Sequence, residues 1–286
     1  MTPAALALVL GAAVIHATWN LLAKRVGGGM AFVWLFGSVT VLLYAPLAAA
    51  VVLVVRPHFG TLQFVFVAGT AVLHLAYFLM LQSGYRAGDL SLVYPLARGT
   101  GPVLSVGAAI VLLGERPGPV VMGGAVLIGV GIFLLAGNPA SLARPGARRA
   151  VGFALLTGAV IAAYTLWDKH AVSVLRIPPV LLDWGGNLGR VLLLTPAALA
   201  RRDEVRTLWR AHRREVVLVG LLTPMAYILV LTAMVFTPVS YVAPAREISI
   251  LVGTAMGTRL LAEGDAPRRL TAAAAIVLGV AALSVG

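Results

Sequence analysis

The sequence contains no cysteine, and only 11% of its 286 residues are charged. The first absence excludes disulfides and thiolate metal sites, and it leaves the redox compartment open. The second is incompatible with an ordinary soluble domain, in which roughly a quarter of residues carry charge. Acidic residues are scarcest: ten Asp and Glu stand against 22 Lys and Arg, a net charge of +12. Most of these cations fall in short segments between apolar runs, where anionic lipid headgroups lie, so membrane lipids and not nucleic acid are the expected partners. No His and carboxylate set has metal-ligand spacing, no nucleophile motif occurs, and no segment is long enough for a catalytic lobe. The chain is therefore not expected to be an enzyme, and no cofactor or metal is expected.

What the chain does have is apolar length, with 60% of its residues hydrophobic. Runs of about 20 apolar residues can cross a ~30 Å hydrocarbon core at 1.5 Å per residue. Ten such spans are predicted: Pro3 to Ala23, Ala31 to Val55, Leu62 to Gly84, Ser91 to Leu113, Val120 to Ala136, Val151 to Ala171, Val180 to Ala200, Val216 to Phe236, Ser240 to Leu261 and Leu270 to Val285. Lipid offers no hydrogen-bond partners, and the alternating polarity of barrel strands is absent, so the spans must be helices. The first runs into Lys24 and Arg25 with no small-residue cleavage site and reads as a retained helix. The expected fold is an all-α membrane protein with ten transmembrane helices, multi-pass in the plasma membrane.

The two halves repeat each other. "HATWN" (His16 to Asn20) aligns with "YTLWD" (Tyr164 to Asp168) at an offset of 148, pairing Trp19 with Trp167. Trp34 and Pro46 meet Trp184 and Pro196 at 150, as "LAYFLML" from Leu75 meets "MAYILVL" from Met225. Arg98 meets Arg246, and Glu115 meets Glu263, at 148. An odd number of spans per half requires the copies to enter the membrane from opposite faces. The expected units are residues 1–140 and 149–286, two inverted five-helix repeats with a substrate site at their interface near the midplane.

The "GERPG" after the fourth span and the glycine-rich "GGAVLIGVGIFLLAG" of the fifth, within ten spans in two halves, resemble the EamA-type transporters of the drug/metabolite transporter superfamily. The second half carries "AEGD" in place of the Gly-Glu-Arg turn, and "HATWNLLAK" in the first span is similar to a subgroup linked to phosphonate utilisation. The resemblance implies a secondary transporter, commonly an exporter of metabolites or drugs. It further implies a central cavity lined mainly by helices 1, 3, 4, 6, 8 and 9, and both termini in the cytoplasm.

Arg98 and Arg246 lie about 10 and 9 Å from the starts of antiparallel helices, which sets them on either side of the midplane and about 10 Å apart along the membrane normal. Two guanidiniums so placed can hold an oxyanion between them; the competing reading is snorkelling to the headgroups. Glu247 stands beside Arg246. Pro95, Pro102 and Pro244 free backbone carbonyls that a hydrated wall or a plain packing kink would accommodate. Tyr77, Tyr94, Tyr227, Tyr241, Trp19 and Trp167 complete the expected binding set as pocket-lining aromatics, whereas Tyr85 and Trp209 suit an interfacial belt. His16 and His74 fall near mid-span, suited to proton coupling or to neutral hydrogen bonding.

Asp183, Asn187 and Arg190 share one face of the seventh span as a gate or a structural ion pair. Glu115 and Glu263 suit local pairing and turn structure. Ala125 with Gly129, and Ala275 with Gly279, suit close helix packing, and that face is also open to homodimerisation of an otherwise monomeric chain.

The expected function is secondary transport, by alternating access, of a small anionic or zwitterionic metabolite such as an amino acid or phosphonate; the alternative is a lipid flippase that handles phospholipid headgroups. Fourteen loop cations, Lys24 and Arg213 among them, fall on the side reached after the first span and four on the other. Charge thus places both termini outside the cytoplasm, opposite to the resemblance.

Overall fold

The computed structural model describes residues 1–26, 29–87, 90–136, 147–252 and 266–285; Glu263 and the side chain of Tyr94 lie outside the described residues. Helices account for nearly all of it, and no strand occurs among the described residues. They are α1 (Pro3–Val26), α2 (Met30–Val55), α3 (Thr61–Ala87), α4 (Leu90–Leu113), α5 (Pro119–Ala136), α6 (Ala147–Ser173), α7 (Pro179–Ala200), α8 (Arg202–Phe236), α9 (Val239–Ala245) and α10 (Ala266–Val285). Six of these, α1, α2, α3, α4, α6 and α8, contain stretches long and apolar enough to cross a membrane, and α5 and α10 are shorter apolar helices. Large apolar side chains such as Leu53, Val54, Val111 and Leu112 stand exposed on the outer surface, where hydrocarbon and not water is their fitting solvent.

Helix ends follow local chemistry. Gly114 closes α4 at φ +67°, a left-handed conformation that glycine adopts without a Cβ clash. The chain then turns so that Glu115 reaches across to α9, its Oε1 accepting the Val239 N–H at 2.7 Å and its Oε2 the Ser240 N–H at 2.9 Å. The Glu of the "GERPG" turn is thus an N-terminal cap for another helix, where its charge also suits the positive end of the helix dipole. Lys169 serves the neighbouring chain end, donating to the carbonyls of Met234 (2.6 Å) and Thr237 (3.0 Å) where α8 stops.

Two helices differ from the sequence expectation. α8 begins at Arg202 and bends at His212 (φ −132°, ψ 28°), so a basic stretch with exposed Trp209 precedes the apolar span. The ninth span is not continuous: α9 has seven residues and ends at Arg246, and helix resumes over 248–252. Across the break Glu247, Ser249 and Ile250 donate to carbonyls three residues back, those of Pro244, Arg246 and Glu247, the tighter 3₁₀ pattern. Pro244 has no N–H to give to Ser240, which explains why the ladder loosens here. α4 by contrast stays helical through Pro95 and Pro102. Local hydroxyl bonds from Thr100 to the Leu96 carbonyl and from Ser105 to the Gly101 carbonyl accompany those prolines.

α5 and α10 pack at backbone contact. A Cβ on Gly124 would fall 2.7 Å from the Gly279 carbonyl, one on Gly279 would fall 2.6 Å from the Gly124 carbonyl, and one on Gly131 would meet the Ala272 carbonyl at 2.8 Å. The glycines on these faces are therefore spent on packing within the chain. The remaining helices join mainly as α1 with α8, α3 with α6, α4 with α6, and α2 with α7 and α8, and they leave a polar interior between α1, α4, α6, α8 and the break after α9.

Candidate functional site

At that break a carboxylate sits against two guanidiniums. Glu247 is fully buried; its Oε2 lies 2.8 Å from Arg98 Nη2 and its Oε1 3.4 Å from Arg246 Nε. Both arginines are more than nine-tenths buried. The gap of about 10 Å expected between them is therefore spanned by a carboxylate, and residues 246 and 247, adjacent in sequence, do pair because the chain tightens there. Arg246 also donates from Nη2 to Tyr164 Oη at 3.4 Å, its Cζ 5.7 Å from that ring's centroid. With Glu247 ionised the trio carries one excess positive charge.

The trio borders a cavity of about 60 Å³, lined by Arg98, Arg246 and Ser249, by Ala12, Ala13 and His16 of α1, by Tyr164 of α6, and by Ala226, Tyr227 and Val230 of α8. Behind Tyr164 and Tyr227 of its wall lies a second polar cluster. Asp168, fully buried, accepts from Tyr227 Oη at 2.5 Å on Oδ2, and the same oxygen lies 2.9 Å from His74 Nε2. Thr70 Oγ1 is 2.6 Å from Asp168 Oδ1. One residue joins the clusters: Tyr164, whose ring lies 4.4 Å from that of His74.

The other expected lining residues fall as follows. Tyr77 stands edge-on to Tyr164 at 5.8 Å, behind the cavity wall. Trp167 does not line the cavity. It stacks on Phe66 at 4.1 Å, donates to the Phe66 carbonyl at 2.8 Å and fills the space over Gly69, where a Cβ would overlap its ring. Trp19 packs edge-on to His16 at 4.8 Å and against the cluster of Phe32, Phe36 and Val216, and Tyr241 packs against the main apolar core. The stripe on α7 is a relay: Arg190 donates to Asn187 Oδ1, Asn187 donates to Asp183 Oδ2 at 3.1 Å, and Arg190 lies over the Phe36 ring at 5.7 Å. It ties α7 to α2 and stays clear of the cavity.

Sequence reasoning left out Asp168, Tyr164 and Thr70. The signal for Asp168 was present: an acidic residue inside an apolar span is by default a functional residue. In the repeat it also stands opposite Asn20, and Tyr164 opposite His16.

A helical bundle of this length and apolar surface, with several buried charges around an internal cavity, is an integral membrane protein. The model of the EamA-like transporter family matches residues 3–137. That part of the chain is similar to this family of transporters, in agreement with the superfamily resemblance read from the sequence. A solved structure titled "Crystal structure of protein" shares the fold with a TM-score of 0.77, covering 99% of this chain and 96% of that one at 17% identity. No curated protein sequence matches the chain.

Proposed function

We propose that the protein is a secondary transporter that moves a small anionic or zwitterionic metabolite, an amino acid or a phosphonate, outward across the plasma membrane by alternating access. The observation that carries this reading is the trio Arg98, Glu247 and Arg246 on an internal cavity: two buried guanidiniums with one carboxylate between them, and room for a small oxyanion group. Guanidinium pairs with carboxylate or phosphonate oxygens through two parallel hydrogen bonds. Tyr227, with Tyr164, supplies aromatic faces and hydroxyls around it. His74, in contact with a buried acid, is the better placed of the two histidines for proton coupling, and His16 lines the cavity.

The units 1–140 and 149–286 act as inverted repeats in this reading. The packing supports it: α1 lies on α8 as α6 lies on α3, and α2 on α8 as α7 on α3. Gly124 against Gly279 and Ala272 against Gly131 are one contact exchanged by the offset of 148.

The test is transport by the purified protein in proteoliposomes, measured with labelled alanine and with labelled aminomethylphosphonate. Hydrogen bonds to a charged group contribute about 1.5–3 kcal/mol each, so Arg98→Ala or Arg246→Ala lowers uptake at least tenfold while the protein remains monodisperse. Undiminished transport by either variant overturns the proposal.

A further inference from the structure

Asp168, held behind the cavity wall by Tyr227, is a buried carboxylate that the arginine trio does not use. Among the described residues its only ion-pair partner is His74. The bonds around it are arranged to suit two protonation states. Oδ2 is committed, facing both Tyr227 Oη and His74 Nε2. Oδ1 faces only Thr70 Oγ1, and that hydroxyl has a second acceptor in reach, the Phe66 carbonyl at 3.0 Å. A hydroxyl carries one hydrogen. When Asp168 is ionised, Thr70 donates to it. When Oδ1 is protonated, it donates to Thr70, whose own hydrogen turns to Phe66. No heavy atom has to move for the proton to be held.

The charges facing Asp168 decide when it is held. On α6 itself stand Tyr164 and Lys169, the latter engaged at the end of α8. α3 presents His74 and Tyr77, α8 presents Tyr227, and α1 places His16 across the cavity. From α7 comes Asp183, within electrostatic reach but linked through Asn187 to Arg190. α4 supplies Arg98, and the break after α9 supplies Arg246 and Glu247. With Asp183 offset by Arg190 and Lys169 by Glu115 at the end of α8, the trio's excess positive charge is matched by the negative charge of Asp168. A monoanion on the arginines cancels the trio's charge and leaves Asp168 without compensation in a lipid interior, where unbalanced charge is costly.

We propose that Asp168, through the Oδ1 atom facing Thr70 and with His74 on Oδ2, is a proton-binding site that takes up one proton for each monoanion bound at Arg98 and Arg246, so that solute and proton cross together with no net charge. This rests on the arginine reading above, and linkage makes it reciprocal. Proton uptake strengthens anion binding, and anion affinity falls as pH rises, by at most about tenfold per pH unit for one proton.

The probe is methanesulfonate, a permanent monoanion that does not titrate near neutral pH, so any proton taken up belongs to the protein. Calorimetric titration of the full chain in Bis-Tris and in Tris, cationic buffers of different ionisation enthalpy, reads protons per anion directly. The wild type is expected to take up about one, and Asp168→Asn to bind methanesulfonate with none and with affinity independent of pH. Thr70→Val, which removes the acceptor for the Oδ1 proton at nearly constant volume, is the second variant should Asp168→Asn not fold; it too loses most of the uptake. Binding without uptake in the wild type, or undiminished uptake in the variants, overturns the proton site and leaves the arginines in place. Equal binding by wild type and Arg98→Ala, or none by wild type, overturns the anion site itself and the coupling with it.

Discussion

Glu247→Gln preserves the shape of a fully buried side chain and deletes the one negative charge between two buried guanidiniums. With an effective dielectric of about 20, a pair of unit charges about 4 Å apart attracts by about 4 kcal/mol. Glu247 makes two such contacts, at 2.8 and 3.4 Å, and their gross attraction is offset in the wild type by desolvation of three charges. The variant keeps that desolvation for the arginines and loses the attraction, so the expected loss is that of breaking a buried ion pair, about 3–5 kcal/mol. Arg98→Gln is milder, because Glu247 keeps Arg246 as its partner. The double variant should restore part of the loss, with a coupling of about 1–3 kcal/mol. Unfolding equilibria in mixed detergent and SDS micelles measure all four corners of the cycle. Methanesulfonate at a hundred times its dissociation constant contributes about 2.7 kcal/mol to a protein that binds it. At a fixed concentration it should stabilise Glu247→Gln more than the wild type, since it enters a site of charge +2. A variant within about 0.5 kcal/mol of wild type, or single losses that simply add, would refute the shared-carboxylate reasoning.

Other outcomes follow from the same coordinates. Gly279→Val places a branched side chain against the Gly124 carbonyl, 2.6 Å from where its Cβ must lie; backbone cannot yield there, and the thermal midpoint in detergent should fall by the equivalent of at least about 1–3 kcal/mol. Glu115→Gln weakens a charged cap on α9 that serves the N–H groups of Val239 and Ser240; an expected loss of about 0.5–2 kcal/mol should appear as faster amide hydrogen exchange over residues 239–245. The excess of loop cations places Arg206 on the cytoplasmic side and His58 outside, so an impermeant maleimide applied to intact cells should label His58→Cys and not Arg206→Cys; the reverse pattern inverts the topology.

The helical class came directly from composition, because lipid leaves a chain of this hydropathy no other regular structure. The location of the site came from two arginines and a proline in otherwise apolar spans. Its geometry did not. A reading that treats each helix as a straight rod separates Arg98 from Arg246 along the membrane normal, whereas the 3₁₀ tightening after Pro244 brings Glu247 between them. Trp19 and Trp167 are paired by the repeat, yet one packs on His16 and the other on Phe66, since aligned positions in two halves can face different neighbours. Asp168 was hidden by its alignment with Asn20, a residue whose Nδ2 only donates back to the His16 carbonyl.

A cavity of about 60 Å³ holds a few waters or the charged end of a ligand, well short of the roughly 300–1,000 Å³ of sites that enclose larger molecules. On the transporter reading the structure is thus a closed state, and admission of a solute requires the wall to part. The contacts indicate where. Arg246 and Glu247 belong to one turn and move together, while the bond from Arg98 to Glu247 joins α4 to the segment after α9. Opening between those elements would leave the first contact intact, break the second and expose Arg98 to an anion. An exchange of one oxyanion for another is nearly balanced in energy, and a nearly balanced exchange is what allows a carrier to release its solute on the far side. Asp168 stands on α6, outside that pair, and reaches it through His74, Tyr164 and Arg246.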